Sequence, residues 1–187
     1  MKKPAFSFFF TIVLLFSEGG LSAHHAVPMA LPEITESADV IVDGLVQQLQ
    51  TQKADRGDLY TRVTLRIEDI WASDREMGQN LDILLAGGTL GRRKEVVEPQ
   101  ATYAVGERVV VFLKRNSKGN LITVGLTHGK FKVISSKHSH QDLIWHPYLS
   151  ELGALLADDS PLTPSLGKAA SLMTLQGLKQ RVQRLLR

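Results

Sequence analysis

Three stretches of this 187-residue chain hold side chains whose types and spacing could do chemistry. The first is Gly87-Gly88-Thr89-Leu90-Gly91-Arg92-Arg93-Lys94. Glycine-rich backbone presents N–H groups, and clustered cations suit phosphate or sulfate. The run does not end in Gly-Lys-Ser/Thr, so it is not a P-loop. The same glycines equally serve to turn the chain after a strand, with the cations solvated. The second stretch is a set of histidines. His138 and His140 share a face if that segment is extended, and Asp142 and His146 follow closely. Imidazole pairs ligate zinc or copper. His24 and His25 follow an apolar leader. Cleavage after Ala23 would make His24 the N-terminal residue, where amine and imidazole together chelate copper. Cleavage after Ser22 would leave Ala23-His24-His25, with a histidine third, another copper-chelating arrangement. Polar ends and a polar loop account for these histidines as well. The third stretch, Arg56-Gly57-Asp58, matches an adhesion tripeptide and would sit on a hairpin loop. Its residues are also ordinary turn formers.

Several chemistries lack their residues. The chain has no cysteine, which removes thiol catalysis, cysteine-ligated metals and disulfides. Neither a Gly-x-Ser-x-Gly elbow nor a His-Glu-x-x-His pair occurs, and no residue stands out as catalytic. The net charge is +3 with the signs interspersed, which gives no nucleic-acid footprint.

The elements that must position these residues read mainly as strands. Residues 1–23 have the form of a secretory signal peptide: Lys2 and Lys3, an apolar run from Phe6 to Phe16, then a short polar region. Export follows, to the periplasm or the outside of the cell. No other stretch is long and apolar enough to span a bilayer as a helix. Residues 24–37 form an N-terminal segment in which Pro32 opens one helical turn. Residues 38–148 carry the β domain. Ala38 to Val46 is a strand with a bulge expected at Gly44. Gln50 to Asp58 reads as a polar turn. Leu59 to Trp71 alternates polar and apolar positions, as a half-buried strand does. Leu81 to Leu85 is the next strand, and 86–104 reads as a long loop.

The clearest signal is Gly106 to Val133. Val109–Leu113, Leu121–Val124 and Phe131–Ile134 are short apolar runs separated by turn residues, which predicts a three-stranded meander. An aromatic cluster at 143–148 is placed to cover a barrel end. Residues 149–187 read as a tail: a short helix at 149–157, a linker at 158–167, and a last helix capped by Ser171 or Thr174. Leu172, Leu175, Leu178, Val182 and Leu185 fall at helical spacing in that helix, which predicts docking on the domain.

The order of these features resembles a group of uncharacterised secreted bacterial proteins. The resemblance spans roughly residues 31–135. It rests on Ala38-Asp39-Val40-Ile41-Val42-Asp43-Gly44, the Gly87–Gly91 loop, the Tyr103-x-Val-Gly-Glu-Arg108 segment with its apolar sequel, and Gly125-Leu-x-x-Gly-Lys-Phe-x-Val133. The group's barrel is similar in outline to the OB-like fold of netrin and tissue-inhibitor-of-metalloproteinase modules. Inhibition by the latter depends on an N-terminal cysteine, which this chain does not have.

The expected fold is thus mainly β: a small OB-like barrel, closed or partly open, with a C-terminal helix. A β-sandwich is the competing architecture. The expected function is that of a non-enzymatic binding or accessory module. Its loops, chiefly 50–58 with Arg56 and Asp58 and 86–104 with Gly87, Gly88, Gly91, Arg92 and Arg93, would contact a cell-envelope or extracellular protein or glycan, without nucleic acid and without a cofactor. The alternative is a copper- or zinc-binding protein using His24, His25, His138, His140 and His146.

Overall fold

The computed structural model describes residues 29–135, 141–147 and 173–187. A closed five-stranded barrel is its centre. The strands are β1 (Val40–Lys53), β2 (Leu59–Ser73), β3 (Asn80–Ala86), β6 (Arg108–Arg115) and β7 (Leu121–Thr123). β1, β2 and β3 run antiparallel in succession, β3 meets β7 in parallel at Ile83 and Leu121, β7 pairs with β6, and β6 returns to β1. This order, first-second-third-fifth-fourth-first among the barrel strands, is the OB arrangement and excludes the sandwich. β4 (Gly88–Leu90) and β5 (Arg93–Glu95) form a separate hairpin. β8 (Lys130–Ser135), β9 (Asp142–Trp145) and β10 (Met173–Thr174) extend the sheet from β6. Two helices complete the described residues, α1 (Leu31–Glu36) and α2 (Leu175–Leu185).

The wall formed by β1 and β6 is buried on both faces, which explains its unbroken apolar runs. Val40 and Val42 with Val109, Val111 and Leu113 face into the barrel beside Val63, Leu65 and Ile83. Ile41, Val110 and Phe112 face a second core, closed by Leu31, Ile34, Phe131, Ile144, Leu178 and Val182. A strand that packs on both sides has no polar alternation to show. β2 packs on one side only over its first half, so its alternation survives in the burial of Leu59, Thr61, Val63 and Leu65.

The meander reading of 106–133 needs correction. β7 lies against residues 113–115 of β6, and β8 lies against residues 109–111 on the same side, opposite β1. They are two pieces of one strand line, interrupted at Val124–Gly129, and are not neighbours. Phe112 donates to the carbonyl of Gly129 and accepts from Val124, so the excursion closes on itself beside β6. A side chain at Gly129 would come within 2.7 Å of the Phe112 carbonyl. β7 is thereby free to reach β3 and close the barrel, while β8 turns away to β9.

Two other expectations shift. β1 runs on to Lys53, so the turn is only 54–58: the polar residues before it lie on a strand that pairs with Leu59 onward. The 86–104 segment is not all loop, because β4 and β5 pair within it. The bulge at Gly44 is present. Register slips there, and a Cβ would meet the Arg66 carbonyl at 2.5 Å. Thr174 caps α2, accepting from the Gly177 N–H at 3.0 Å. That helix docks through Leu178 and Val182, as its apolar spacing predicts. In the 143–148 cluster Ile144 and His146 are buried and Trp145 is exposed. The expected helix at 149–157 and linker at 158–167 lie outside the described residues.

Asp43, Tyr103, Glu107, Arg108 and Lys130 make contacts between elements distant in sequence. Asp43 and Arg108 form a two-bonded ion pair across β1 and β6, at 3.0 and 2.7 Å. Arg108 also reaches Asp142 on β9 at 2.6 Å. Lys130 binds Glu107 at 2.8 Å and lies over the Tyr103 ring. These residues hold strands together.

Candidate groove on the barrel face

The outer face of β2, β3 and β7 is concave and floors an open groove of about 580 Å³. Register dictates the floor. Tyr60 stands opposite Ala86, and Arg62 opposite Leu84. Ile122 comes from β7, whose flanking Leu121 and Thr123 are buried. Because side chains alternate along a strand, the outward set on β2 is the polar set that alternates with Leu59, Thr61 and Val63. The volume falls in the ordinary range for small-ligand clefts, about 300–1,000 Å³.

Two turns wall the groove. Ala54 and Asp58 come from the β1–β2 turn, and Asn116, Ser117, Lys118 and Asn120 from the β6–β7 turn. Both are fixed by their own hydrogen bonds. Ala54 donates to Asp58 O at 2.8 Å, and Gly57, at φ 97°, donates to Ala54 O at 2.8 Å. Asn116 Oδ1 accepts from the Lys118 and Asn120 amides at 3.0 Å, while Gly119, at φ 81°, donates to Asn116 O. A site wired in this way loses little entropy when a ligand arrives. Arg62 is shared with Asp82 at 3.3 Å, and Asp82 also accepts from Thr64 at 2.8 Å. Tyr60 donates to Gln52 at 2.7 Å, which fixes its ring.

The two loops singled out by sequence do meet. Arg93 donates to the Gly57 carbonyl at 2.8 Å and pairs with Glu95 at 3.3 Å, while Glu95 accepts the Leu59 N–H. Arg56 and Asp58 therefore lie beside the β4–β5 hairpin, whose turn carries Gly91 and the exposed Arg92. Of the residues that sequence singles out in these two loops, Asp58 alone lines the groove. Gly87 and Gly88 do packing work. Both have positive φ, and a Cβ at Gly88 would collide with Thr61 and Thr51. They line a smaller cavity of about 250 Å³, under Val96, Val97 and Gln100.

His146 is buried against Phe131, with ring centroids 4.5 Å apart, and its Nε2 donates to the His128 carbonyl at 3.0 Å. Burial pushes its pKa down to about 4, so it is neutral at physiological pH. His24, His25, His138 and His140 lie outside the described residues. Among the described residues, no three metal-ligating side chains gather.

Sequence reasoning passed over Tyr60, Arg62, Leu84, Ile122 and the 116–120 turn as a site. The available signal was an aromatic and a cation on the polar face of an alternating strand. It becomes a site only once the barrel sets β3 and β7 beside it. No protein-family profile matches the chain, and no curated protein matches it. Among the described residues no helix is long and apolar enough to cross a membrane.

Proposed function

We propose that this chain is a secreted, non-enzymatic binding or accessory module that takes its partner in the groove on β2, β3 and β7. The observation that carries the reading is the joint lining of that groove by three strands and two self-bonded turns. Barrels of this topology bind ligands across their second and third strands, between the first and the last barrel turns. The mixed floor, apolar at Leu84 and Ile122 and polar at Tyr60 and Arg62, suits recognition. The sequence expectation of a protein or glycan partner thus moves from the 86–104 loop to the face beside it. Asp58 stays in the site, and Arg56, Arg92 and Arg93 stand at its edge.

The absence of cysteine allows a direct test. A photo-crosslinker on a single introduced thiol, Ser117→Cys on the groove wall, is compared with the same label at Glu76→Cys on the β2–β3 turn. Incubation with the cell envelope is expected to give crosslinks from position 117 alone. Crosslinks from position 76 in equal yield would remove the groove from the account.

A further inference from the structure

The chemistry lining the groove points to an acidic oligosaccharide, one bearing carboxylates as uronates do, as the ligand; this inference rests on the binding-module reading above. Cations line the groove and its edges. Arg62 and Lys118 are in the lining itself, and Lys114 stands opposite Ile122 on the same sheet face. Among the described residues Asp58 is the one acid in that lining; Asp82, beside the lining, offsets part of the Arg62 charge through a bond to one guanidinium nitrogen and also accepts from Thr64, which leaves Lys118 and Lys114 as the cations it does not pair. An Arg fork and a Lys ammonium both suit carboxylate. Ser117, Asn116 and Asn120 add a hydroxyl and two amides, groups that pair with sugar hydroxyls. Tyr60 supplies one flat ring beside Leu84 and Ile122, enough for the C–H face of a pyranose.

The same lining argues against other polymers. Single-stranded nucleic acid is held by successive aromatic platforms, one for each stacked base. Among the described residues Tyr60 is the one aromatic side chain in this lining. A protein partner is anchored through a cluster of aromatic and large apolar residues. Here the apolar lining, Leu59, Leu84, Leu85 and Ile122, is aliphatic, and Tyr60 brings no second aromatic ring to cluster with.

The test titrates the full chain with oligogalacturonate, a malto-oligosaccharide of equal length, and oligothymidylate. Oligogalacturonate is expected to bind, and its affinity to fall as salt is raised. Lys118→Gln and Arg62→Gln are each expected to weaken it about threefold to tenfold. Asp58→Asn is expected to strengthen it about twofold to fivefold, since a like charge leaves the wall. That gain cannot come from a damaged fold. Equal binding of the neutral oligomer, tighter binding of oligothymidylate, or no gain from Asp58→Asn would each overturn the inference. If no oligosaccharide binds while Ser117→Cys still crosslinks an envelope protein, the ligand class is wrong and the groove stands. If the groove label also captures nothing, both fail.

Discussion

Replacing Arg108 with methionine strands a buried carboxylate. The Asp43 side chain is 3% exposed and takes two hydrogen bonds from the guanidinium. Burial pushes its pKa up, and the Arg108 bonds and charge hold it down without cancelling that rise. Breaking a buried pair by removing one partner typically costs about 3–5 kcal/mol. Arg108 is 30% exposed and water can partly replace it, so we expect the low end, about 3 kcal/mol at pH 7. For a domain of this size that lowers Tm by about 6–12 °C.

The pH dependence carries the sign. A carboxyl whose folded pKa is raised favours the fold most below its unfolded value, about 3.9, and loses that contribution as pH rises through the folded value. Removing Arg108 raises the folded value further. The deficit of Arg108→Met relative to wild type should therefore be largest near neutrality and shrink on acidification. Urea unfolding of both proteins between pH 5 and pH 8 measures it. A deficit below about 1 kcal/mol at pH 7, as an exposed pair would give, would refute the reasoning. So would a deficit that stays constant with pH.

Three further outcomes follow from the same structure. His146 has its folded pKa depressed to about 4, so wild-type stability should fall as pH drops from about 6.5 towards 4, by about 3 kcal/mol in all, and the His146 imidazole should show no NMR titration above pH 5. Leu178→Ala empties part of the second core and should cost about 2–4 kcal/mol, with proteolysis of the α2 segment faster than of the barrel. Gly88→Ala forces a side chain onto Thr61 and Thr51 at a φ of 140°, and should cost about 1–3 kcal/mol and expose the β4–β5 hairpin to protease; an unchanged cleavage pattern would contradict the packing role.

Local signals in the sequence reported local structure well. The alternation of Leu59–Trp71, the Gly44 bulge and the Thr174 cap depend on near neighbours, and each stands in the fold where those neighbours place it. The apolar runs marked strands correctly but did not give their order. A short apolar run such as Leu121–Val124 cannot tell a hairpin partner from half of a broken strand line. The break at Val124–Gly129 is set by bonds to Phe112, which lies in the preceding strand and outside any local window. The site was legible only in part. Asp58, on a turn, could be read from turn chemistry. Tyr60 and Leu84 become a floor through β2–β3 register and Ile122 through barrel closure, which no local window contains. Gly87 and Gly88 fit an anion loop and a chain turn alike, because close backbone packing and anion binding ask for the same residue type.

The groove is tested most directly by two substitutions that differ only in which cavity they block. Leu84→Glu puts a charge on the groove floor, and Val97→Glu puts one at the smaller cavity under the 96–103 segment. Retention of each protein on the cell envelope is measured, with thermal melts confirming that both are folded. The account predicts that Leu84→Glu loses retention and Val97→Glu keeps it. Full retention of Leu84→Glu, or loss with Val97→Glu alone, would contradict it.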